Sequence, residues 1–244
     1  MSLILEIENL SFEYDQQNIL ENISFKVETG EYLGILGPNG GGKTTLLKLI
    51  LGILRPSKGE IRLLGKNLND SKEKYKIGYL PQKINGNLDF PATVSEIVAT
   101  GLTKKDKNSS SLIQKALNIS GVANLQNRQL SQLSGGERQK VFIARSLVSQ
   151  PEMLILDEPT VAIDVGSQAD FYEFIKVLNQ EHKISILLVS HDIGSITKEV
   201  SKVLFLNKKL ECFHNTKEFL SAANLERLYG SQTYFINHHN HQHV

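Results

Sequence analysis

Along the first third of the chain, apolar and polar residues take turns. Leu5 and Ile7 stand between Glu6 and Glu8, Ile23, Phe25 and Val27 between Ser24, Lys26 and Glu28, and Ile61 and Leu63 beside Glu60 and Arg62. A period of two sends alternate side chains to opposite faces, so these stretches predict antiparallel strands with one wet face. Residues 32–36, 153–156, 184–189 and 203–206 are instead apolar throughout or nearly so. Such runs predict strands covered on both faces, as in a parallel sheet under helices. Helices are predicted over 43–54, 93–100, 112–120, 135–149 and 166–181; in the last, Phe171, Phe174, Ile175 and Leu178 form an i, i+3, i+4, i+7 stripe.

The predicted fold is α/β: a mixed sheet core, an N-terminal antiparallel β subdomain and an inserted helical lobe at about 93–148. Within that lobe KKDKNSSS, residues 104–111, reads as a linker. The main domain is expected to span 1–230, leaving a histidine-rich tail at 231–244.

Composition narrows the possibilities. The 244 residues suffice for a full core, and a net charge of +1 gives no electrostatic case for broad nucleic-acid binding. The single cysteine, Cys212, has no intrachain disulfide partner, which fits a reducing compartment. No apolar run approaches the roughly 18 residues of a membrane-spanning helix. The start, MSLILEIENL, alternates and carries acids, unlike a signal peptide. The expected location is the cytoplasm, with docking on a membrane protein left open.

The strongest local signal is GPNGGGKTT: Gly37, Pro38, Asn39, Gly40, Gly41, Gly42, Lys43, Thr44 and Thr45. It fits G-x-x-x-x-G-K-[ST] between a predicted strand and a predicted helix, the context of a phosphate-binding loop. Glycines let backbone N–H groups converge on phosphate oxygens, and the helix N-terminus favours negative charge. Lys43 suits the β- and γ-phosphates, and the Thr44 hydroxyl suits Mg²⁺. A dinucleotide fingerprint fits poorly, because Thr45 stands where its third glycine belongs.

A second site lies in MLILDEPT, where an apolar strand ends in Asp157 and Glu158. Asp157, at the carboxyl end of the strand, is placed to hold Mg²⁺, and Glu158 to polarise an attacking water as general base. Together with the cradle they imply hydrolysis of a phosphoanhydride.

LSGGERQ, residues 133–139, joined to the cradle and to LILDEP, strongly resembles the ATP-binding-cassette (ABC) family, in that family's motif order and to about residue 230. Ser134-Gly135-Gly136-Glu137 also reads as a capping box that opens a helix. The resemblance implies that Ser134, Gly135 and Gly136 face ATP held by a second subunit. It implies that Tyr14 in SFEYDQQ stacks on adenine, and that Gln82 in GYLPQ senses Mg²⁺ and water and begins a loop coupled to a membrane partner. Asp164 in PTVAID matches the aspartate loop across the dimer, and His191 in LLVSHD the switch histidine at the γ-phosphate. The resemblance implies that Gly42 stands in place of a serine or alanine before the lysine, and a slightly looser loop is expected there.

A cassette without a membrane span resembles the separate ATPase subunit of an importer. The segments DFPATVSEIVATGL, EPTVAIDVGSQADFYEFI and HDIGSITKEVSKVLFLNKKL resemble zinc- and manganese-uptake ATPases. That resemblance implies a homodimer on the inner face of the membrane, an integral permease, ATP and Mg²⁺ as cofactors, an extracytoplasmic metal-binding protein, and no nucleic acid. His238, His239, His241 and His243 in the tail fit a weak metal contact and a passive solvated end alike. Other cargo, such as an iron chelate or cobalamin, and a soluble cassette acting outside transport remain alternatives. A GTPase is disfavoured: the Asn207-Lys208 pair is followed by Lys209-Leu210, without the aspartate that guanine recognition uses.

Overall fold

The structure, a computed structural model, describes residues 2–68, 75–82, 91–103, 108–161, 163–200 and 202–229. The chain opens with a hairpin, Leu3–Tyr14 (β1) and Gln17–Glu28 (β2), then enters the main sheet at Tyr32–Leu36 (β3). Helix Lys43–Ile50 (α1) follows, then strands Lys58–Leu63 (β4), Lys66–Asn67 (β5) and Ile77–Leu80 (β6). Three helices come next: Val94–Ala99 (α2), Ser109–Ile119 (α3) and Gly135–Leu147 (α4). Strands and helices then alternate through Met153–Asp157 (β7), Val165–Gln180 (α5), Ser185–Val189 (β8), Ile193–Glu199 (α6) and Lys202–Asn207 (β9). Lys209–Phe213 (β10), Thr216–Phe219 (α7) and Ala222–Tyr229 (α8) complete the described chain.

Two sheets result, as the two kinds of patterning predict. One is antiparallel, in the order β2-β1-β4-β5; the other is mixed, in the order β10-β9-β3-β8-β7-β6, with its only antiparallel pair among the described residues at β9 and β10. Strands β3, β7 and β8 are buried at every position because both faces are covered. Leu33, Ile35, Met153, Ile155, Leu187 and Val189 pack with α1 and the antiparallel sheet. Leu36, Leu154, Leu156, Ile186 and Leu188 pack with α4 and α5. Each such side chain contributes about 1.5–3 kcal/mol on burial, so the continuous apolar runs hold the two layers against one sheet.

Several boundaries differ from expectation. Helix α1 stops at Ile50 rather than at residue 54: the chain turns at Gly52, and the Ile53 and Leu54 N–H groups both return to the Lys48 carbonyl, at 2.9 and 3.1 Å. Helix α3 starts earlier than expected, so Ser109–Ser111 of the proposed linker form its first turn, while 104–107 lie outside the described residues. Strand β6 was not predicted, being four residues long and containing Gly78. Helices α6, α7 and α8 and strands β5 and β10 were not predicted either. The histidine tail lies outside the described residues.

Candidate active site

The loop after β3 leaves the carboxyl edge of the mixed sheet and becomes α1. It is backed by the end of β9: a side chain on Gly37 would collide with the Leu206 carbonyl, and the Lys208 N–H donates to the Gly41 carbonyl at 3.0 Å. Gly42 caps α1 with φ 96 and ψ 2, and a Cβ there would stand 2.6 Å from Leu20 Cδ2 and 3.2 Å from the Ile19 carbonyl. This corrects the expectation at residue 42. Serine or alanine would be both strained and crowded, so glycine there sets the loop's shape rather than loosening it.

The loop opens onto a pocket of about 320 Å³. Asn39, Gly40, Gly42, Lys43, Thr44 and Thr45 line one side, and Gln82, Asp157 and Glu158 the other. The first group rides on the β3–α1 turn; the second comes from the ends of β6 and β7, which pair in parallel with Leu80 opposite Leu156. Parallel register thus brings the predicted cradle, glutamine and two carboxylates to one edge. Lys43 Nζ donates to the Gly37 and Pro38 carbonyls at 2.8 and 3.0 Å. The early N–H groups of α1 have no intrahelical acceptor, as at any helix start.

Charge in this pocket is strained by burial. Burial pushes the Lys43 ammonium below its ordinary value of 10.5, against the pull of Glu158 and Asp157. Burial raises the Asp157 carboxyl above 3.8; a hydrogen bond from Tyr79 opposes the shift, Glu158 adds to it, and Lys43 opposes it. Tyr79 Oη donates to Asp157 Oδ2 at 3.3 Å, and its own pKa is pushed up to about 12, first by burial and then by Asp157. Glu158 sits at φ 50, a backbone region that costs a non-glycine residue about 1 kcal/mol or more. Its N–H donates to the Val189 carbonyl at 2.8 Å, and its Oε2 lies 2.7 Å from Nδ1 of His191.

Other predicted residues stand apart from the pocket wall. Gly37, Pro38 and Gly41 form the back of the loop. Tyr14 is 66% exposed at the tip of the β1–β2 hairpin, where it pairs with Gln17. Ser134 is exposed and caps α4: its Oγ accepts from the Glu137 N–H at 3.3 Å, and Glu137 Oε2 accepts from the Ser134 N–H at 2.8 Å. Gly135 and Gly136 form the first turn of α4, and a Cβ on Gly136 would meet nothing within 4 Å. Asp164 is exposed and caps α5 by accepting from the Ser167 N–H at 3.1 Å. Two residues at the site were not anticipated. Ile19 lines the pocket from the same hairpin as Tyr14, and Tyr79 stands three positions before Gln82. Only that nearness to predicted residues pointed to either.

A sequence model of the ABC transporter family matches residues 20–161. The chain belongs to the ABC transporter family. It is 44% identical to the zinc uptake system ATP-binding protein ZurA of Listeria innocua, with 93% of each chain covered. It is 34% identical to the zinc import ATP-binding protein ZnuC of Acinetobacter baylyi, covering 97% of this chain and 86% of that one. The solved structure of cbiO1 from Clostridium perfringens, part of the ABC transporter complex cbiONQ, superposes with a TM-score of 0.82 at 29% identity, over 93% of this chain and 94% of the other. The chain is therefore an ABC ATPase, which binds and hydrolyses ATP. Among the described residues no helix is long and apolar enough to cross a membrane, and no group of three or more His, Cys, Asp or Glu side chains is placed to hold a metal ion.

Proposed function

We propose that this ATPase powers zinc uptake through a separate membrane permease, working as a pair of identical subunits on the inner face of the membrane. The supporting observation is that one chain carries a complete phosphate cradle and a complete Ser134–Gly136 turn, yet that turn does not line the cradle's pocket. The turn is partly open to solvent at a helix N-terminus, a placement suited to phosphate held by another copy. Zinc is the ion named in both zinc-system relatives; neither names manganese.

Each cradle then holds ATP by the loop amides and Lys43, with Tyr14 stacked on the base. Ser134, Gly135, Gly136 and Asp164 of the other copy close the site. Thr44, Gln82 and Asp157 supply neutral and anionic oxygens to one pocket, a donor set that fits Mg²⁺. When bound with ATP, Mg²⁺ would offset charge on the β- and γ-phosphates. Glu158 takes the proton of the attacking water, and His191 holds that carboxylate and faces the γ-phosphate. Closure draws together the helical lobes, about 93–148, and so moves the permease. An extracytoplasmic metal-binding protein would deliver the ion, so the ATPase need not touch it.

The test is zinc uptake into vesicles containing the co-purified permease, with manganese, an iron chelate and cobalamin as competing cargo. Selective ATP-driven zinc uptake is expected, and uptake of another cargo instead would overturn the assignment. The pairing is read from ATPase rate against protein concentration: a rate per subunit that stays constant on dilution to monomer would reject a shared site.

A further inference from the structure

Tyr79 joins two parts of the protein that the chemistry of the pocket does not by itself connect. It lies on the edge strand β6, opposite Ile155 of β7, and its half-buried ring packs on the layer that includes α1. Its hydroxyl is 3.3 Å from Asp157 Oδ2. A phenol is protonated at neutral pH, and an ionised carboxylate only accepts, so the tyrosine is the donor. The Tyr79 carbonyl in turn accepts from Ser146 Oγ at 3.0 Å, and the same hydroxyl is 3.1 Å from the Phe142 carbonyl. Ser146 belongs to the last turn of α4, the helix that Ser134 opens. One residue thus ties the carboxylate at the end of β7 to the far end of that helix.

An aspartate with both oxygens free samples several rotations about its carboxyl bond. Committing one oxygen to a donor fixed on a paired strand removes that freedom and leaves the second oxygen for another partner. We propose that Tyr79 is a positioning residue for the cation-holding carboxylate: its hydroxyl fixes one oxygen of Asp157 and leaves the other for the cation. This rests on the reading of Asp157 as a Mg²⁺ ligand. The tyrosine touches no substrate, and it acts through Asp157.

The experiment uses the full-length protein with a non-hydrolysable ATP analogue and Mn²⁺ as a spectroscopic probe for the cation, comparing the parent, Tyr79→Phe and Asp157→Asn. Tyr79→Phe keeps the ring and removes only the hydroxyl. Its Mn²⁺ dissociation constant is expected to rise about tenfold, as for loss of one hydrogen bond to a charged group, with affinity for the metal-free analogue unchanged. In turnover with ATP, the half-saturating Mg²⁺ should rise by a similar factor while the rate recovers in excess Mg²⁺. If Asp157→Asn weakens Mn²⁺ binding and Tyr79→Phe does not, the positioning role is overturned and the Asp157 reading survives. If Asp157→Asn itself leaves Mn²⁺ binding unchanged, the reading beneath the proposal is wrong and the proposal falls with it.

Discussion

His191 Nδ1 lies 2.7 Å from Glu158 Oε2, linking residues that follow the neighbouring parallel strands β8 and β7. Asp157 pairs with Val189 at the end of that ladder, so the next residues of each strand leave the sheet side by side. Glu158 is 7% exposed and the His191 side chain 62%, so the ring reaches from solvent toward a nearly enclosed carboxylate. With the carboxylate ionised, the imidazole must present an N–H to it. The left-handed backbone of Glu158 is one cost of bringing its side chain to this place.

From that contact, Glu158→Gln should retain ATP and lose turnover by about 10²–10⁴-fold, the usual contribution of a general base. His191→Ala should lose part of the same activity. The double variant should be little worse than Glu158→Gln alone, because residues that act as a unit do not add. Single-turnover hydrolysis of the four proteins measures this, and multiplicative losses would show that the two residues act independently.

Lys43→Ala should act earlier, on binding. The ammonium is half-buried and held by two loop carbonyls, a ready donor for phosphate oxygens. Its removal should weaken ATP by about tenfold or more, the scale of a charged hydrogen bond. Equilibrium titration with a fluorescent ATP analogue reads the change, and an unaltered affinity would reject the phosphate-clamp role.

Gly42→Ala tests the corrected view of the cradle. The new Cβ would meet Leu20 Cδ2 in a left-handed backbone. A loss of about 1–3 kcal/mol in stability is expected from strain and crowding, together with weaker ATP binding. Denaturant unfolding and nucleotide titration measure the two effects; a variant as stable as the parent would contradict the geometry.

The capping box on α4 should be visible in pH dependence. The Ser134 N–H beside Glu137 holds its carboxyl below the ordinary value of 4.5. The folded form therefore binds that proton less tightly than the unfolded chain. Its stabilisation is present above pH 4.5 and is lost as pH falls through the folded value. Glu137→Ala should lower Tm most near neutral pH, and its gap to the parent should narrow under acid. A gap independent of pH would mean that the carboxylate charge does not contribute.

Much of this was readable one segment at a time. The doubly covered strands, the glycine-rich turn and the Ser134-Glu137 and Asp164 caps depend on periodicity and on backbone groups within a few residues, so local spacing predicts them. Helix α1 misled because Ile53 and Leu54 continue an apolar pattern, while the backbone had already turned at Gly52 to satisfy the Lys48 carbonyl. Strand β6 showed no pattern of its own; it exists because Leu80 and its neighbours find partners on β7.

The sequence by itself determined that the chain has a glycine-rich strand-to-helix turn ending in Lys43, a strand ending in two acids and a capped Ser-Gly-Gly turn. Only the tertiary structure decided that Glu158 meets His191, that Tyr79 holds Asp157, that Ile19 walls the pocket, and that Ser134 stays away from its own cradle. Those relations are set by the order and register of strands far apart in the chain. Pairing between distant strands depends on how the whole sheet packs, and no local run of residues carries it.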